Sequence, residues 1–91
     1  MAKFVDWQPR AREELREWKQ ENPLIAKRIY ELLRDIQIRP FTGIGKPEAL
    51  KHDLSGWWSR RINLANRLIY TVTDDAIIIM SCKYHYKKKN K

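Results

Sequence analysis

Three prolines, Pro9, Pro23 and Pro40, divide the first forty residues and leave few ways to arrange them. Proline lacks an amide hydrogen and clashes with the preceding turn, so a helix accepts it only in its first turn. Pro9 and Pro23 therefore read as helix starts and Pro40 as a stop. Over residues 9–20, Ala11, Leu15 and Trp18 recur at spacings of four and three among charged residues, which predicts an amphipathic helix. Asn22 precedes Pro23 as the expected N-cap. Ile25, Ile29, Leu32 and Ile36 then form the apolar side of a second helix, with Leu24 and Leu33 widening it. "KFVDW", ahead of Pro9, is a short β-type run, and the two helices are expected to form a hairpin that caps a sheet.

After Pro40 the texture changes. "FTGIGKPEALKHDLSG" holds all three glycines of the chain, and a loop of that length and composition points to function more than to simple connection. Three runs with period-two character follow, "WWSRRIN", "RLIYTVT" and "AIIIMSC", the last two joined by Asp74 and Asp75 as a tight hairpin. In the middle run Leu68, Tyr70 and Val72 point one way, and Arg67 opens a mostly polar opposite side. The coarse order is β-α-α-β-β-β, an α+β fold with an antiparallel sheet and two helices packed on one face. A chain of 91 residues builds one small core, read as a single domain over residues 1–86 with a flexible basic tail over residues 87–91.

Charge narrows the partners. Nineteen Lys and Arg against eleven Asp and Glu leave a net charge of +8, which favours polyanions: nucleic acid, an anionic membrane face or an acidic protein. Cys82 is the only cysteine, so no internal disulfide is available and the fold does not depend on an oxidising compartment. Charged residues interrupt any signal-like run at the amino end, and "AIIIM" is far short of a bilayer span. The expected location is the cytoplasm, with no membrane partner.

The motifs "GKPE.LKH.LSG.WSRRI", "RL.Y.VTDD" and "C.YHY", spread over residues 41–86, resemble the Txe/YoeB family of toxins from bacterial toxin–antitoxin systems, within the RelE-like superfamily. That resemblance implies a small α+β endoribonuclease that enters the ribosomal decoding site and cuts messenger RNA there. The nucleophile would be the RNA's own 2′-hydroxyl, the products a 2′,3′-cyclic phosphate and a free 5′-hydroxyl, and neither metal nor cofactor would be needed. It further implies a YefM/Axe-like antitoxin, whose acidic, initially disordered segment wraps the basic groove. Homodimer formation and operator DNA binding through the antitoxin complex belong to the same expectation.

Such chemistry needs a base for the 2′-hydroxyl, cations for the phosphate and an acid for the leaving oxygen. By resemblance Glu48 is the general base, Arg67 stabilises the phosphate charge with help from Arg61 and Lys51, His85 is the general acid, and Tyr86 packs beside or hydrogen-bonds the reacting nucleotide. The residue types suit those tasks: arginine keeps its charge and binds phosphate through two nitrogens, and an unperturbed imidazole, with a pKa of ~6.5, gives up a proton near neutrality.

Plainer readings compete at each position. Glu48 is a solvated loop carboxylate, His85 a structural strand-end residue, and Arg60 and Arg61 face water on an edge strand. Trp18 and Trp58 fit core packing better than base stacking, and Trp57 fits neither clearly. His52, Asp53, Cys82 and His85 match no metal-ligand spacing, so metal is rejected. The rival function is a catalytically inactive basic nucleic-acid-binding module of the same fold, and a weaker one a ribosome-independent RNase. Residues 87–91, "KKKNK", run past the tyrosine at which the family pattern commonly stops. Deleting them is expected to weaken ribosome association most at low salt and leave the cleavage position unchanged, as a salt series of binding measurements would show.

Overall fold

The computed structural model describes residues 2–85. Tyr86 and the basic tail, both singled out in the sequence, lie outside them. The elements are β1 (Phe4–Trp7), α1 (Pro9–Glu21), α2 (Pro23–Ile38), β2 (Glu48–Ala49), β3 (Trp58–Arg61), β4 (Asn66–Val72) and β5 (Ala76–His85). They form one five-stranded sheet in the order β1-β5-β4-β3-β2. The α+β class and the element order are those expected. Two details differ: a short extra strand, β2, lies inside the glycine-rich segment, and β1 pairs with β5 in the parallel sense, so the sheet is mixed. Parallel neighbours need a crossover between them, and the α1–α2 hairpin begins that excursion over the sheet.

Both helices start where proline dictates. Asn22, however, makes no side-chain cap; its backbone carbonyl accepts the Ile25 N–H at 2.9 Å, and that junction joins α1 directly to α2. Leu24 is 76% exposed and does not widen the apolar side, because it stands one and two turns from Arg28 and Glu31 on the wet side of α2. Ala11, Leu15 and Trp18 of α1 and Ile29, Leu32, Leu33 and Ile36 of α2 meet Leu68, Tyr70, Ile77 and Ile79 of the sheet. Trp18 is a core residue whose indole N–H donates to the Cys82 carbonyl at 2.8 Å, and Trp58 packs on the same core with its ring 4.7 Å from that of Phe41.

β1 stops opposite Ile79, which leaves the outer edge of β5 without a strand partner from there on. Glu14 of α1 closes that edge, accepting the Cys82 N–H and the Ser81 hydroxyl, each at 2.9 Å. A helix carboxylate thus stands in for the missing strand.

Arg60 departs furthest from expectation. It does not face water: it is 0% exposed, because β2 lies outside β3 and the side chain points into the helix layer. Its guanidinium donates to Asp35 at 2.6 Å, to the carbonyls of Arg39, Thr42 and Ile44 at 2.5, 2.7 and 3.1 Å, and to the Tyr70 hydroxyl at 3.1 Å. Tyr70 in turn donates to the Pro40 carbonyl at 2.7 Å. Every N–H of the guanidinium therefore meets an acceptor, which a buried arginine requires. Gly43 sits in the left-handed region at φ +104°, and any β-carbon there would collide with the Asp35 carboxylate.

Burial pushes the Asp35 carboxyl up, but hydrogen bonds from Arg60, the Ile44 N–H and Arg39 outweigh it and hold its pKa below the ordinary value. A depressed folded pKa adds stability above the unfolded carboxylate pKa that is lost as pH falls through the folded one. Arg60→Met, which strands a buried carboxylate and several carbonyls, is expected to cost about 3–5 kcal/mol in urea unfolding at pH 7. The wild-type advantage over this variant should shrink as the pH is taken below 4.

Candidate active site on the face away from the helices

Side chains alternate across a strand, so the inward course of Arg60 turns its neighbours Ser59 and Arg61 to the opposite face. Residues directly opposite on adjacent strands share a face. The register Arg61↔Arg67↔Tyr84 therefore makes one row across β3, β4 and β5 on the face away from the helices. Glu48↔Ser59↔Ile69 makes the next row, so Glu48 stands diagonally across from Arg61, about 7 Å apart at the backbone level. Three of the residues singled out in the sequence, Glu48, Arg61 and Arg67, are brought together in this way.

The loop before β2 sets the position of Glu48. The Gly45 carbonyl accepts the Arg61 N–H at 2.6 Å, and Gly45 approaches Leu32 so closely that a β-carbon would meet its methyl at 2.8 Å. Lys46 then takes a left-handed φ of +50°, and Pro47 leads into β2. Non-glycine residues hold that conformation only where their surroundings enforce it. The exposed Glu48 carboxylate thus projects from a short edge strand tied at both ends, since the Leu50 N–H donates to the Trp57 carbonyl at 2.9 Å. Lys51 is exposed at the start of the 3₁₀ turn His52–Leu54, outside the two rows. Trp57 is half-buried beside the same turn.

Arg67 is not the open cation that alternation predicts. It is only 8% exposed, and its Nη1 donates to the carbonyls of Asn63, Leu64 and Asn66 at 3.1, 3.3 and 3.4 Å. The chain between β3 and β4 curls over the guanidinium and offers it carbonyl oxygens. Arg61, the neighbouring cation in the row, is exposed. Two arginines side by side repel, and an anion laid across the row relieves that repulsion.

His85 ends β5 opposite Asn66, one residue beyond the Arg67–Tyr84 pair. Alternation turns its exposed side chain to the Asn66 side, so the ladder does not put it in the row with Arg61 and Arg67. Three residues near this site escaped sequence reasoning: Tyr84, which faces Arg67; Asn66, which faces His85; and Arg60, which anchors the loop from beneath. Tyr84 had a signal in the first tyrosine of "YHY". Asn66 and Arg60 had none, because one depends on strand register and the other on which side of β3 is covered.

Cys82 lies in the core with its thiol 3.6 Å from the Ala11 carbonyl, and burial, aided by the nearby Glu14 carboxylate, pushes its pKa up to about 12. Among the described residues no three His, Cys, Asp or Glu side chains lie together in a way that would hold a metal, and no helix is long and apolar enough to cross a membrane.

Residues 7–86 match the profile of the YoeB-like toxins of bacterial type II toxin–antitoxin systems. The chain belongs to the YoeB toxin family. It is 54% identical to the toxin YoeB of Escherichia coli K12 over 69 residues, 76% of this chain and 82% of that protein. A YoeB dimer from Staphylococcus aureus superposes with a TM-score of 0.90 at 45% identity, covering 94% of this chain and all of that one. The toxin in a heterotetrameric YoeB–YefM complex from the same organism superposes at 0.86, again 45% identical and with the same coverage. The protein is thus the toxin component of a toxin–antitoxin pair.

Because so little thiolate forms at an elevated thiol pKa, native Cys82 should resist a thiol-specific alkylating reagent at pH 8 and react fully in denaturant. Mass spectrometry of the two samples checks this.

Proposed function

We propose that this toxin is an endoribonuclease that cuts messenger RNA in the decoding site of the bacterial ribosome, in the cytoplasm. The reading rests on one observation: an exposed carboxylate, Glu48, shares a sheet face with Arg61 and Arg67 in adjacent rows of the register. A 2′-hydroxyl attack on the neighbouring phosphate asks for that pairing of a base with cations. Glu48 takes the 2′-hydroxyl proton. Arg61, exposed, and Arg67, deeper in the row, neutralise the charge that gathers on the phosphate, and Lys51 draws the strand toward the site. His85, held on the Asn66 side at the end of β5, protonates the leaving 5′-oxygen where the nucleotide passes the end of the ladder, with Tyr86 packed beside the nucleotide. A 2′,3′-cyclic phosphate and a 5′-hydroxyl result, with no metal or cofactor in the reaction.

The antitoxin partner on this reading is a YefM-like protein with an acidic segment that covers the Arg61–Arg67 row, and the complex reaches operator DNA through the antitoxin. Homodimer formation is part of the proposal, supported by the Staphylococcus aureus dimer. Residues 87–91 act as a basic tail that adds electrostatic attraction to ribosomal RNA.

One observation favours a second reading. The alternation that turns His85 away from the Arg67 row fits an inactive basic module that binds RNA without cutting it. Primer extension on messenger RNA translated in a purified system separates the two. Wild type should cut within the decoding site, and Glu48→Ala and His85→Ala should each lower the single-turnover rate by ~10²-fold or more. Arg67→Ala should lower it at least as far, since it also releases the turn over the guanidinium. Binding without cleavage establishes the inactive module. Cleavage of free RNA, or full activity in His85→Ala, overturns the mechanism.

A further inference from the structure

We propose that the side-chain carbonyl oxygen of Asn66 is the hydrogen-bond acceptor that orients the His85 imidazole, which makes Asn66 a positioning residue for proton transfer. The catalytic consequence rests on the function proposed above; the hydrogen bond itself does not.

Asn66 is only 6% exposed, and its Oδ1 is the one buried side-chain nitrogen or oxygen among the described residues with no hydrogen-bond partner. A buried amide oxygen without a donor costs on the order of 1–3 kcal/mol, so a native fold keeps one where a specific donor is meant to meet it. The orientation of the amide is settled by its surroundings. Asn63 Oδ1 accepts the backbone N–H groups of Ala65 at 3.0 Å and Asn66 at 2.8 Å, so it is an oxygen and not a misassigned nitrogen. The Asn66 group donating to it at 3.2 Å must then be the NH₂, which directs Oδ1 the other way.

The residue directly across from Asn66 is His85. Facing residues of an antiparallel pair hold their β-carbons about 4.5–5.5 Å apart on the same side, within reach of an imidazole N–H and an amide oxygen. His85 is exposed at the end of its strand, so its ring has more than one rotamer open to it. Glu48, Arg61 and Arg67 point to the other face, and Lys83, the nearest cation on β5, is engaged by Glu17 at 2.8 Å. Among the described residues His85 is the donor-bearing side chain directly across the ladder from Asn66.

The hydrogen bond assigns the two ring nitrogens to different tasks. One carries its N–H to Asn66 Oδ1 in both protonation states. The other holds the proton that passes to the leaving 5′-oxygen as the phosphorus–oxygen bond breaks, and is left as a bare acceptor in a single tautomer. A fixed tautomer removes the alternative in which the wrong nitrogen carries the labile proton.

Long-range proton–nitrogen correlation spectra of the ¹⁵N-labelled full chain test this. The chain has two histidines, and His52→Gln identifies the His85 signals. Wild type should show His85 in one dominant neutral tautomer with a protected ring N–H. Asn66→Ala should show a mixture of tautomers and rapid exchange. Asn63→Ala loosens the same turn but retains the Asn66 oxygen, and should keep the single tautomer. Asn66→Asp cannot donate to Asn63 but keeps an acceptor, and should keep it as well; this variant also serves if Asn66→Ala fails to fold. In the ribosomal cleavage assay Asn66→Ala should lose ~10-fold in single-turnover rate with unchanged ribosome affinity, the scale of one lost hydrogen bond. A His85 spectrum indifferent to Asn66→Ala, or changed equally by Asn63→Ala, overturns the proposal. Absence of cleavage by wild type overturns the nuclease reading and leaves the spectra to decide this one.

Discussion

The Arg60–Asp35 pair is the constraint on which the rest of the molecule depends. An ion pair taken out of water is costly, and its mutual attraction offsets that cost only when every remaining donor and acceptor is also satisfied. Here the remaining guanidinium donors go to carbonyls at Arg39, Thr42 and Ile44 and to Tyr70, so the charge is stabilised by the very backbone that leaves α2 and heads for β2. The loop is held by the charge it helps to stabilise. Neither the pair nor the loop conformation is favourable alone, and Gly43 and Gly45 are the positions where a side chain would separate them.

β3 carries this constraint through the sheet. Arg60 points down into the helix layer and anchors the loop, while the next residue, Arg61, points up into the proposed site and also ties its own N–H to Gly45. One peptide unit thus couples the buried pair to the exposed row, and the loop delivers Glu48 to the diagonal position beside it. A displacement of the loop would carry the carboxylate off the face that holds the arginines. For chemistry that depends on a base and a cation meeting one phosphodiester, an error of that kind is costly in rate.

What could be read in the sequence was what depends on local chemistry. Prolines marked both helix starts, the spacing of Ala11, Leu15 and Trp18 gave the buried side of α1, and Asp74 and Asp75 form the hairpin turn as expected, with the Thr73 hydroxyl accepting the Ala76 N–H. The family motifs picked out Glu48, Arg61 and Arg67, which register then set on a common face. What could not be read depends on partners distant in the chain. "WSRR" shows two arginines and not which is buried; that is decided by Asp35, twenty-five residues away. Arg67 reads as the start of a polar face, and only the curl of residues 63–66 over its guanidinium shows that it is enclosed. Leu24 fits the apolar pattern by composition, yet it falls on the side of α2 that carries Arg28 and Glu31 and is left in water.

Register explains the site's remaining asymmetry. The β4–β5 ladder shifts twice, between Arg67 and Ile69 and between Ile69 and Tyr70. Carried on unshifted from Tyr70↔Ile79, the ladder would set Cys82 opposite Arg67 and Lys83 opposite Asn66. The two bulges advance β5 by one residue each, so Tyr84 meets Arg67 and His85 meets Asn66. The same advance leaves Cys82 to the core against Ala11, and lays Lys83 over the Trp18 ring at 4.7 Å, where Glu17 balances its charge. A thiol and an amine that would otherwise lie beside Arg67 and Asn66 are thereby absorbed into the helix layer, and a phenol and an imidazole take their places. Strand alternation alone carries no trace of this exchange, because two one-residue shifts restore the original parity of the faces while changing which residues occupy them.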